Sequence, residues 1–155
     1  MANSQAMCTS FKQELMNGSH AFGAQGANGT RTVTTKDTFK AALFLVSGSR
    51  GAGDTIYTST GEVSGTNYSA GGVAVTNATA PTTSGTTAFW TPSASIVYTT
   101  VTLATAFDAV LIYNNASTSL LAVSVHTFGS QTVTAGTFTL TMPANDSSNA
   151  LVRIA

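Results

Sequence analysis

Two histidines, one cysteine and six carboxylates are the side chains of this 155-residue chain that could carry acid–base, nucleophilic or metal chemistry. Their spacing argues against each. A zinc site takes three or four ligands, usually supplied in close sequence pairs. His20 and His126 lie far apart, and Cys8 has no second cysteine, so neither a metal site nor an internal disulfide is expected. Cys8 beside a histidine would be the barest nucleophile pair. A thiol becomes reactive only in a shaped site that lowers its pKa, and nothing near the N-terminus suggests one. Glycoside hydrolysis needs two carboxylates flanking one bond. Of Glu14, Asp37, Asp54, Glu62, Asp108 and Asp146, three (Asp37, Asp54 and Asp146) sit in turn-like sequence. The run Gly48-Ser-Arg-Gly51-Ala-Gly53 looks like an anion cradle, but Asp54-Thr-Ile-Tyr after it does not open a helix, so no helix N-terminus completes the site. No Gly-x-Ser-x-Gly elbow or Gly-Lys-Thr phosphate loop occurs. The expectation is a chain without catalytic, cofactor-binding or metal-binding residues, and not an enzyme. Trp90, Phe89, Tyr57, Tyr68, Tyr98 and Tyr113 form the one alternative, a sugar-stacking platform, although aromatics at alternating positions more commonly serve core and rim.

The elements around these residues are written in hydroxyls. Only six Lys/Arg and six Asp/Glu are present, and they cancel, while Thr numbers 28 and Ser 17. An ordinary domain is about 25% charged. Thr suits a pleated, half-wetted surface, whereas Lys and Glu favour helix surfaces. A neutral surface of this kind resists aggregation poorly alone, which suits a protein covered by partners in an assembly. Lys12, Arg31, Lys36, Lys40, Arg50 and Arg153 are scattered among acids, so the clustered cations that release counterions from nucleic acid are lacking. No basic-then-apolar leader opens the chain, and no stretch nears the ~20 apolar residues of a membrane span, so synthesis in a cytoplasm without membrane insertion is expected.

Ser10 and Gln13 resemble a capping box, and Phe11, Leu15 and Phe22 share a face, predicting a short amphipathic helix over 10–17 that ends at Gly18. Four glycines between 18 and 29 make 17–37 read as a long loop. Residues 1–36 are therefore expected to form an N-terminal arm, with Phe11, Leu15, Met16 and Phe22 as its partner-contact residues. Packing of the helix on the chain's own sheet is the plainer reading. From Thr38 the period is two. Strands are expected at 38–46, 72–77, 86–91, 96–103, 106–113, 120–128, 137–142 and 150–154, with 54–72 irregular and turns at 47–53, 81–85, 114–119 and 129–136. About eight short strands without a βαβ rhythm predict an all-β sandwich over 37–155, antiparallel and jelly-roll-like.

Five segments carry a family resemblance: Cys8-Thr-Ser-Phe-Lys-Gln-Glu-Leu15, Asp37-Thr-Phe-Lys-Ala-Ala-Leu43, Glu62-Val-Ser-Gly-Thr-Asn-Tyr-Ser-Ala-Gly-Gly-Val73, Leu111-Ile-Tyr-Asn114 and Val133-Thr-Ala-Gly-Thr-Phe-Thr-Leu-Thr-Met-Pro143. In them the chain resembles small virion structural proteins of tailed bacteriophages. Similar β-sandwich proteins serve as head decoration, or cement, proteins, often as trimers. The resemblance implies a place on the capsid surface, with the major capsid protein and further copies of the chain as partners and no cofactor. A tail, baseplate, fibre or head–tail connector component is the neighbouring alternative, and a receptor- or glycan-binding module a third.

Overall fold

The computed structural model describes residues 2–23, 35–77 and 79–155. Among them lie one helix, α1 (Thr9–Met16), and eight strands: β1 (Ala6–Met7), β2 (Phe39–Leu45), β3 (Val73–Val75), β4 (Thr82–Ser84), β5 (Thr87–Trp90), β6 (Ile96–Asn114), β7 (Ala122–Leu140) and β8 (Val152–Ile154). They form two antiparallel sheets, a five-stranded one in the order β1-β7-β6-β2-β3 and a three-stranded one in the order β4-β5-β8. The fold is all-β and sandwich-like, as the alternation predicts. The strands divide five and three instead of the four and four of a jelly roll.

One hairpin dominates. β6 and β7 are 19 residues each and pair along nearly their whole length. The expected breaks at 104–105 and 129–136 are β-bulges instead. Val133 pairs with Leu103 and Gly136 with Val101, across register shifts on both sides. A bulge absorbs an extra residue by bending and twisting the strand, so Gly129 and Gly136 mark bends and not a turn. Asn114 ends β6, and its Oδ1 accepts the N–H groups of Ala116 and Ser117. The positive φ of that connection falls on Leu120, at 53°, and not on an asparagine.

The two sheets meet through aromatic rings. Phe22 stacks on Phe39 of β2 with ring centres 4.5 Å apart, and meets Trp90 of β5 at 4.7 Å and Phe11 of α1 at 5.8 Å. Burying each such ring contributes roughly 1.5–3 kcal/mol. Residues before position 37 therefore supply part of the core: Cys8, Phe11 and Phe22 are all buried in the same cluster as Phe39, Leu43, Leu111 and Trp90. β1 pairs with β7, and the Cys8 N–H donates to the Val123 carbonyl. The described part of the expected arm is thus built into the sandwich. The glycine-rich 24–34 lies outside the described residues, but its flanks are tied together, the Asp37 N–H donating to the Ala21 carbonyl and the Ala21 N–H to the Asp37 carboxylate.

Candidate functional site

Among the described residues, a constellation of ionisable side chains surrounds Glu62. This residue sits in the irregular segment 54–72 and bridges Phe44 of β2. Its carboxylate accepts from the Tyr57 hydroxyl at 2.6 Å, the Tyr68 hydroxyl at 2.7 Å and the Gly71 N–H at 2.8 Å. Tyr68 also accepts the Leu43 N–H, Tyr113 donates to the Gly71 carbonyl and Tyr98 donates to the Ala41 carbonyl. The rings pair as well: Tyr57 stacks on Tyr113 at 4.6 Å and Tyr68 on Tyr98 at 6.0 Å. At Gly72 (φ +72°) a Cβ would stand 1.7 Å from the Ala41 carbonyl oxygen, so only glycine lets the segment cross β2 this closely. Burial, then the Glu62 carboxylate, raises the pKa of all four phenols, that of Tyr113 to about 12. Each phenol remains a donor at neutral pH. With its lone pairs facing three donors, Glu62 is a clasp that holds segment 54–72 to the sheet. No strand periodicity could have revealed it, because its members come from a loop and from two strands, β6 and β2.

A second polar chain lies under α1. His20 is buried. Its Nε2 meets Glu14 at 2.8 Å and its Nδ1 meets the Asn114 amide at 3.1 Å. Asn114 also donates to Asp37 at 2.6 Å. Because the Asn114 oxygen is occupied by backbone N–H groups, its nitrogen must face His20. His20 Nδ1 is then the acceptor, and Nε2–H donates to Glu14. The ring lies edge-on to Phe11 and pins the helix to the hairpin.

The remaining candidates are used structurally. Burial pushes the Cys8 thiol up to about 12, the reverse of an activated nucleophile. In the 48–53 loop, the Gly51 N–H is taken by Asp54 at 2.8 Å and the Arg50 N–H by Asn3 at 2.7 Å, so the chain's own side chains fill the supposed cradle. Arg50 pairs with Asp54 at 3.0 Å and lies over the Phe44 ring. His126 has its Nε2 2.9 Å from Ser124 Oγ, and burial lowers its pKa to about 4. Asp146 accepts the Ser148 and Asn149 N–H groups and the Asn149 amide, which hold its carboxyl below the usual range. Among the described residues no three His, Cys, Asp or Glu side chains gather as a metal would need.

The surface offers a different site. Of the four predicted contact residues, Phe11 and Phe22 are core, Leu15 is half-buried and Met16 is 83% exposed. Leu15 lies between two adjoining hollows. One is an apolar cleft against Ala88, Phe89, Val152 and Ile154. The other holds Met16 and Ile154 with Lys12 and Arg153 at its rim. The cleft encloses about 90 Å³, well under the ~300–1,000 Å³ of small-molecule sites. It fits an inserted side chain better than a ligand. The contribution of β8 was not legible in the sequence, because Val152 and Ile154 reach the helix only through the pairing of β8 with β5.

No family model, no curated protein and no solved structure matches this chain.

Proposed function

We propose that this chain is a non-enzymatic structural component of a tailed-bacteriophage virion, a capsid decoration protein that seats on the outer shell and bridges neighbouring capsomers. One observation carries the reading beside the family resemblance: Met16 and Ile154 stand exposed along the apolar seam between α1 and β8. Exposed apolar surface on a hydroxyl-rich protein marks a contact face. Lys12 and Arg153 at its rim favour a shell segment that brings both apolar side chains and carboxylates. Seating at several seams at once raises avidity without strong single contacts, which is what resisting capsomer separation requires.

Deleting residues 1–36 would remove Phe11 and Phe22 from the core and so would test folding instead. The informative variant is Met16→Asp with Ile154→Asp, both on exposed side chains. Binding of the purified full chain to heads that lack it is the measurement. The expected result is lost occupancy at an unchanged thermal midpoint; undiminished occupancy would contradict the reading.

A further inference from the structure

From the geometry of β7 we infer a second contact surface, independent of the virion reading: the outer edge of this strand pairs with the same edge of a second copy of the chain. On its inner side β7 pairs with β6 throughout. On its outer side the cover is short. Thr55 accepts from Ala122 N–H, Cys8 donates to Val123, and β1 pairs with Ser124 and Val125. Among the described residues no segment pairs with that side beyond Val125, and from Gly129 to Leu140 the strand is exposed or half-buried.

Sheet edges are ordinarily guarded by lysine, proline, inward charge or bulges, because an open edge is a template for another strand. From Ala109 to Asn145 this chain has no Asp, Glu, Lys or Arg, and its first proline after β7 is Pro143. The register shifts that bend the hairpin run from Tyr98 to Ala109 of β6, opposite Phe138 to Thr127 of β7, with one more between Ile112 and Tyr113. Beyond them, Phe138, Thr139 and Leu140 pair in unbroken register with Tyr98, Val97 and Ile96. This last stretch is straight, uncharged and strictly alternating, with Thr137 and Thr139 exposed.

The occupant follows from the edge itself. An antiparallel strand edge is self-complementary about a two-fold axis, since the same row of donors and acceptors meets its own copy reversed. Edges that carry charge repel their own copies; this one brings none. Across the axis, exposed threonines meet threonines, a favourable cross-strand pairing. Two five-stranded sheets would then run on as one. The contact is two-fold and makes pairs, so the three-fold grouping suggested by the family resemblance would need another surface.

Light scattering on the purified full chain gives the mass across a concentration series, and amide hydrogen exchange gives the location. The expected results are twice the mass of one chain, and protection of the 134–140 amides that grows with concentration. Thr137→Lys with Thr139→Lys places like charges across the axis and should weaken pairing by about tenfold or more. The matching Thr137→Glu with Thr139→Glu chain should fail alone and pair when mixed with the lysine variant. A monomer at every concentration, an assembly indifferent to the lysines, or variants that show no preference for each other would overturn the inference. The capsid reading is tested separately by the Met16 and Ile154 variant, which leaves this edge intact.

Discussion

Strands β6 and β7 form one hairpin that lives in two environments. At the closed end, Ala109 to Asn114 and Ala122 to Val125 are buried at every position, with β2 on one side and β1 on the other. At the open end, Ile96 to Thr105 and Gly129 to Leu140 mix buried or half-buried with exposed positions, and among the described residues no strand pairs with the outer edge of β7 there. Both ends are built from apolar and hydroxyl side chains. Flanking strands and the helix turn one end into core, and their absence leaves the other as surface. The same composition therefore builds core at one end and surface at the other.

The sharpest way to break this comparison is truncation at each end. Leu111→Ala at the closed end should cost about 2–5 kcal/mol, the range for a large buried aliphatic side chain. Val97→Thr at the open end, where the side chain is 40% exposed, should stay within about 0.5 kcal/mol. Denaturant midpoints compare them directly, and equal losses would erase the distinction.

The Glu62 clasp joins the two ends, since Tyr98 lies in the open half and Tyr113 in the closed half. Glu62→Ala leaves the Tyr57 and Tyr68 hydroxyls and the Gly71 N–H without their acceptor and should cost about 1–3 kcal/mol by the same measurement. The tyrosines set an alkaline limit. Their folded pKa values lie above the unfolded value of about 10, so their stabilisation is intact below that pH. It is lost as pH rises through the folded values, from about 12 for Tyr113 upward. Stability curves against pH, followed with tyrosinate absorbance, should fall together above pH ~10; phenols that ionise there without loss of fold would show the cluster to be loose.

His126, where the cover of β7 stops, acts on the acid side and more weakly. Burial depresses its pKa from 6.5 to about 4. The neutral ring is the one that fits, so its stabilisation is complete above pH 6.5 and is lost as pH falls toward 4. The residue keeps some surface, so the loss should be only about 1–2 kcal/mol. His126→Asn should flatten the stability curve between those pH values, and an unchanged slope would place the ring in solvent. The smallest effect is kinetic: Cys8 in the native chain should resist alkylation, reacting only as fast as the fold opens.

The sequence made some of this legible. Helix 10–17 is α1 at Thr9–Met16, and strand 38–46 is β2 at Phe39–Leu45, because apolar period acts locally; the capping box expected of Ser10 and Gln13 does not form, since Cys8 is the N-cap without a side-chain cap bond and Ser10 lies inside the helix. The β6–β7 hairpin was divided into four strands because Gly129 and Gly136 carry the same signal in a bulge as in a turn, and only the register of the facing strand tells them apart. Residues 82–84 read as a turn but pair as β4, the turn itself being confined to Gly85 and Thr86. Met16, one of the expected contact residues, stands exposed beside Ile154. Ile154 was not among the expected residues, because a three-residue strand gives no periodicity to read.

The direct test of the central claim, that this molecule works by being contacted on its surface, is a density map of the purified virion. The account predicts the eight-stranded sandwich on the outer shell at seams between capsomers, its α1–β8 face turned toward the capsid. A particle fully assembled without this chain anywhere in its density would contradict it.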